Sequence, residues 1–257
     1  MHVSLAVVAL AGVTLLHFHL SPNPDLLLFI FFGTIVGYNF VKYAGIANFH
    51  HLIRTRNLLA IRIFSVACFL GMIYSLLQQS LNVLIAGGLF GSLTILYTLP
   101  IFRSSNLRSL KGIKVFIIAL VWAGITVVVP LVESEHLMFP DAAIEFIQRF
   151  LFVIVLMLPF EIRDLKYDAP ELETIPQVLG VSNTRLLGAG LLSLLMLMEF
   201  TKSAIEIKTL LVTLIVALAT LVFIYKSRIH QSKYFAAFWV EGIPIFWWML
   251  LIAGGYF

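Results

Sequence analysis

Residues 145–168 read EFIQRFLFVIVLMLPFEIRDLKYD: a largely apolar run over 145–160, then a tail in which five of eight residues are charged. An apolar run of that kind approaches the roughly 20 residues a helix needs to cross a hydrocarbon core about 30 Å thick. Eight similar runs accompany it, so helices are expected at approximately 1–20, 25–44, 58–77, 81–98, 112–132, 145–160, 186–199, 206–226 and 235–256. The alternation of a barrel strand is absent from these runs, and lipid offers no water to an open backbone, so the runs must be helical. The fold class expected is all-α, a polytopic membrane protein of about nine transmembrane helices in a single domain spanning 1–257.

Composition supports the same reading. The chain of 257 residues is 61% apolar and 12% charged, with a mean hydropathy of +1.02. Soluble domains run nearer to half apolar and a quarter charged. The first run lacks a basic leader segment and passes directly into the second, so it is kept as a helix rather than a signal peptide. The sole cysteine, Cys68, rules out a disulfide within the chain.

Basic residues report orientation. Fourteen of the seventeen flank or occupy the even-numbered loops, among them Lys42, Arg54, Arg103, Arg108, Lys111, Lys114, Arg163, Arg185, Arg228 and Lys233. The odd loops carry acids instead, as in VESEHLMFPDAAIE over 132–145. The positive-inside rule then puts the even loops and the N-terminus in the cytoplasm and the C-terminus outside. This distribution explains the sequence pI of about 9.2 without a nucleic-acid partner. The absence of a processing signal and the short cytoplasmic loops suit a bacterial inner membrane.

The tail EIRDLKYD meets no turn residue before Ala169-Pro170, so helix 6 is expected to continue to about Asp168. Glu161, Asp164 and Asp168 then share one face at i, i+3 and i+7. Like charges so spaced repel, and near lipid they require a cation. Pairing with Arg163, Lys166 or Arg185 would supply one. So would Mg²⁺, held by one or two carboxylates and completed by water and substrate phosphate. Spacing alone leaves both open.

Two further polar islands belong to the same side. LYTLPIFRSSNLRSLKGIK, 96–114, carries four bases and no acid, which suits topological anchoring or a clamp on phosphate oxygens. GYNFVKYAGIANFHHLIRTRN, 37–57, brings Asn39 and Lys42 to the end of helix 2. His50 and His51 are adjacent and cannot make an i, i+4 metal pair. Glu241, about two turns into helix 9, is either an intramembrane functional group or close enough to the cytoplasmic end to meet water. Glu199, Glu206, Lys202 and Lys208 border an outer loop and read as anchors.

Together these islands resemble the UbiA superfamily of intramembrane prenyltransferases, over nearly the whole chain. EIRDLKYDAPELETIPQVLGVSNTR, 161–185, looks like the family's second aspartate motif, with Asp164 and Asp168 as its acid pair and Thr174, Pro176 and Gly180 in its tail. LYTLP with Arg103, Arg108 and Lys111 resembles its tyrosine-bearing helix end and basic loop. The resemblance implies a UbiA-like bundle binding an isoprenyl diphosphate with Mg²⁺. Asp164, Asp168 and Glu161 would serve the metal, and Asn39, Tyr97, Arg103, Arg108, Lys111 and Arg163 the substrate. The first aspartate motif is degenerate: Asn39, Tyr43 and Ala47 stand at its three positions, and no acid lies between Asp25 and Glu133.

Three readings follow. An active transferase would use Asp164, Asp168 and one Mg²⁺, with Lys42 replacing the second cation. A catalytically inactive scaffold would serve as a membrane subunit docking a protein partner. A non-catalytic member would bind an isoprenoid or lipid phosphate.

Overall fold

The computed structural model describes residues 1–43, 56–99, 111–137 and 140–255. Among them every regular element is helical. Nine rods follow in order: α1 (His2–His17), α2 (Pro24–Tyr43), α3 (Arg56–Leu76), α4 (Leu81–Thr98), α5 (Lys114–Glu133), α6 (Pro140–Asp164), α7 (Ile175–Glu199), α8 (Ile207–Lys226) and α9 (Phe235–Ala253). Seven of these described rods, α2 and α4 to α9, are long and apolar enough to cross a membrane. α1 and the apolar stretch Ile63–Leu76 of α3 are shorter.

The distribution of polarity fits a membrane solvent. Leu70, Leu89 and Leu218 are 62%, 59% and 53% exposed on the outside, while Glu145, Arg149 and Glu161 are 2%, 1% and 1% exposed inside. A water-soluble protein would do the reverse. This is an integral helical membrane protein.

Local chemistry sets several boundaries. Asn23 Oδ1 accepts from the backbone N–H groups of Asp25 and Leu26 at 3.0 and 3.3 Å, capping α2, and Ser80 does the same for α4 through Val83. α6 starts at Pro140, five residues before the expected start, because proline suits a first helical turn. α7 starts eleven residues before the expected position. There the Gln177 side chain accepts from the Thr174 N–H at 2.8 Å, and the polar stretch after it stays helical apart from a kink at Gly180, with φ of 75°. α6, in contrast, stops at Asp164 rather than Asp168. The N–H groups of Tyr167 and Asp168 both bond to the Asp164 carbonyl, at 2.8 and 2.9 Å, and Ala169 turns extended ahead of Pro170.

α1 lies inside the bundle, packed against α2, α5 and α9. A core of Leu10, Val13, Phe152, Val216, Val240 and Trp247 joins it to α6, α8 and α9. α3 packs chiefly on α2. In a bilayer such contacts depend on van der Waals fit, which small residues promote. A Cβ on Gly12 would stand 2.4 Å from the Trp248 indole nitrogen, and one on Gly124 would stand 2.2 Å from the Phe90 ring. Gly124 also opens a π-helical turn through Val128, where the Val129 N–H reaches back five residues to the Gly124 carbonyl.

Gly124→Ala should therefore destabilise the bundle by about 1–3 kcal/mol through overpacking. Thermal unfolding in detergent reads this, and Phe90→Ala in the same chain should recover part of the loss. A Gly124→Ala variant as stable as the parent would contradict the close contact.

Candidate functional site

The last two turns of α6 carry the charged tail to one end of the bundle. Pro159 lies within the helix, and its carbonyl accepts from Gln231 Nε2 at 3.1 Å, fastening the α8–α9 connection there. Glu161 faces inward, and its Oε1 lies 2.8 Å from Lys114 Nζ at the first residue of α5. The same ammonium stands 3.9 Å from Asp168 Oδ2. An acid so buried requires this partner, because an isolated charge would be costly. Arg163 grips the adjacent Asp164 through both carboxylate oxygens, at 2.7 and 3.0 Å, and its guanidinium lies 5.3 Å from the Phe160 ring centroid.

The loop after α6 is fixed to the entry of α5. Lys111 pairs with Glu173, and the Gly112 N–H donates to the Leu172 carbonyl at 2.9 Å. Gly112 adopts φ of 64°, the left-handed conformation for which glycine is suited. Gln177 Nε2 donates to the carbonyls of Asp168 and Ala169 at 3.3 and 3.0 Å. Backbone and side-chain bonds thus hold two loops side by side.

The structure brings together Glu161, Arg163, Asp164, Asp168 and Lys111, and adds Lys114 as their central cation. Tyr97 is buried at the end of α4, within electrostatic range of Lys114. Asn39 donates to Ser65 on α3 at 3.1 Å, and Lys42 is exposed in the last turn of α2. Arg103, Arg108, Ala47, His50 and His51 lie outside the described residues. The acids are paired within the chain, but not by all the expected bases. Lys166 lies 4.7 Å from the Tyr167 ring centroid, and Arg185 donates to the Ser227 carbonyl at 2.5 Å.

The donor set does not suit the Mg²⁺ arrangement that the resemblance implies. Both oxygens of Asp164 are engaged by Arg163, Glu161 is engaged by Lys114, and that ammonium lies between Glu161 and Asp168. Among the described residues, no three His, Cys, Asp or Glu side chains are placed to hold a metal ion.

Glu241 lies near the same end, bonded to His2 Nδ1 at 3.1 Å, and His2 stacks on Phe238. This contact ties the start of α1 to the start of α9.

The opposite end holds a network that the sequence reading treated only as anchors. Glu145 Oε1 accepts from Arg149 at 2.7 Å, while Oε2 lies 3.0 Å from His17 Nδ1 and 3.1 Å from Lys202 Nζ. Glu199 takes Gln148 and Lys202, each at 3.1 Å or less. Arg149 donates to the Leu10 carbonyl at 3.0 Å and lies 5.2 Å from the Trp247 ring centroid. Burial pulls the Lys202 ammonium down, but Glu145 and Glu199 outweigh it and hold its pKa above the usual lysine value. These groups border a cavity of about 270 Å³ that also meets His136, Asp141 and Glu206. The available signal was Arg149, an ionisable residue inside an apolar run and four residues from an acid.

Fold and site together define a polytopic helical membrane protein with a charged cluster at each end. Compared with known proteins, the chain matches no family model, no curated protein and no solved structure.

Arg149→Met should cost about 3–5 kcal/mol, since it strips a buried carboxylate of a partner. The double variant Arg149→Met, Glu145→Gln should cost less than the two single losses added. Unfolding followed by tryptophan fluorescence in detergent measures both, and a single variant of parental stability would refute a buried pair.

Proposed function

We propose that the chain is a UbiA-like intramembrane protein with nine membrane-crossing helices. Its α6-tail end would bind an isoprenyl diphosphate and transfer the isoprenyl group to an acceptor. The observation that carries this reading is the pairing of Lys111, Lys114 and Arg163 with carboxylates of the last turn of α6 and the loop after it. That is where the resemblance expects a diphosphate. The cations would hold phosphate oxygens and stabilise the charge that gathers on them as the allylic C–O bond breaks. The bonding electron pair leaves with the diphosphate, and the allylic carbon is captured by the acceptor, which gives up a proton.

A second reading is supported by the same ion pairs and by the lack of acids in the sequence from residue 26 to residue 132. The chain would then bind an isoprenoid or lipid phosphate without chemistry, or serve as a membrane subunit. Stable co-purification with another membrane protein would favour the subunit role, and a monodisperse lone protein would count against it.

Purified protein should bind farnesyl diphosphate in titration calorimetry. Lys42→Ala should weaken that binding by up to about tenfold, with Lys42→Arg partly retaining it. Unchanged affinity in Lys42→Ala removes Lys42 from the site, and no binding by the parent removes the reading.

The reading places the chain in a bacterial inner membrane with the α6-tail end and the N-terminus in the cytoplasm. Clustered bases on the even loops support it. Alkaline phosphatase joined after residue 257 should be active on the outer side. Activity only when it is joined within the α8–α9 loop would invert the topology.

A further inference from the structure

We propose that Lys114 takes the position a metal ion would fill, so that the site holds a diphosphate head group without a metal. This inference rests on the diphosphate-binding reading above and concerns how that ligand is held.

Lys114 Nζ contacts Glu161 at 2.8 Å and stands 3.9 Å from Asp168, in the space between two carboxylates. That is the electrostatic position of a bridging cation, filled here by a covalently tethered one. Glu161 is deeply buried behind the ammonium, whereas the Lys114 side chain is 22% exposed, so the charge faces the open side of the cluster. An ammonium has three donors, so Lys114 can hold Glu161 with one of them and present others to phosphate oxygens.

The neighbouring groups agree. Arg163 closes on both oxygens of Asp164, giving that carboxylate a counter-charge from within the chain, and the Arg163 side chain is 25% exposed. Lys111 stands on the same short segment as Lys114 and is fixed by Glu173 and the Gly112–Leu172 backbone bond. Three cations, from the end of α6, the start of α5 and the segment before it, therefore lie at one end of the bundle. At the end of α2 that carries Asn39 and Lys42, the sequence offers no acid to recruit a second metal.

Lysine binds phosphate as a point charge and needs no metal to do so. Its buried partner Glu161 keeps it oriented, Arg163 offsets Asp164 and Lys111 offsets Glu173, and Asp168 stands 3.9 Å from the same ammonium. The ligand class is a diphosphate monoester carried on an apolar chain. Inorganic diphosphate should occupy the same head-group site.

The test is binding of farnesyl diphosphate to the full chain in detergent, measured in parallel with Mg²⁺ and with a chelator. Parental affinity should change by no more than about twofold between the buffers, and inorganic diphosphate should compete in both. Lys114→Met should lose about tenfold or more in chelator, a loss typical of a charge-assisted hydrogen bond. Mg²⁺ should restore part of it, because the two carboxylates are then open to a metal. Asp168→Asn, at a partly exposed position, should retain or increase affinity in chelator, since Lys114 loses a competing acid.

Binding that vanishes in chelator and returns with Mg²⁺ overturns the inference while leaving the diphosphate reading intact. So does an unchanged Lys114→Met affinity, or an Asp168→Asn variant that cannot bind. Failure of every variant and of the parent to bind in either buffer overturns both.

Discussion

A charge placed inside a bundle surrounded by lipid must bring its counter-charge with it. The desolvation cost of a lone buried ion far exceeds what any single packing contact returns. This constraint explains why Glu161 and Glu145, at opposite ends of α6, each gather a lysine from another part of the chain, Lys114 and Lys202. Glu161 draws the start of α5 toward the end of α6. Glu145 draws α1 and the α7–α8 loop toward its start. One helix thus organises both faces of the molecule through two acids.

The apolar contacts between these ends depend on different physics. Lipid tails solvate leucine as well as a neighbouring helix does, so association depends on fit rather than on escape from water. Gly12 and Gly124 answer this by letting Trp248 and Phe90 occupy space that a methyl group would fill. Aromatic rings then close the gaps around α1, and Trp247 also lies edge-on to Phe152 while facing the Arg149 guanidinium. The ion pairs set which helix ends meet, and the close contacts determine how tightly the rods lie.

Helix positions were legible in the sequence because bilayer thickness imposes a length on apolar runs. Their polar ends were less so. The start of α7 was missed because Gln177, Asn183 and Arg185 look like loop, whereas capping at Thr174 and a kink at Gly180 let the polar turns stay helical. The end of α6 was overestimated because i, i+4 spacing carries no information on where a carbonyl is shared, as at Asp164. The acids at 161, 164 and 168 were visible as a cluster requiring a cation. Their principal partner, Lys114, was not, since it is 47 residues from Glu161 and had been counted among the loop bases. Arg149 showed the opposite failure: its spacing from Glu145 is local, yet the run around it looked apolar enough to pass.

The missing acids of α2 acquire a different meaning beside Lys114. Carboxylates near a diphosphate are tolerable only when enough positive charge lies between them. A second acidic motif without metal would add two negative charges opposite a ligand that already carries several. Under the diphosphate reading proposed above, a site relying on tethered cations is better served by a sequence without aspartates at positions 39, 43 and 47. Read in this way, the degenerate motif and the lysine seated between Glu161 and Asp168 are two consequences of one electrostatic balance. Under that same proposal the acid-free sequence over 39–47 favours phosphate, because Glu161 and Asp164 are already paired from within the chain.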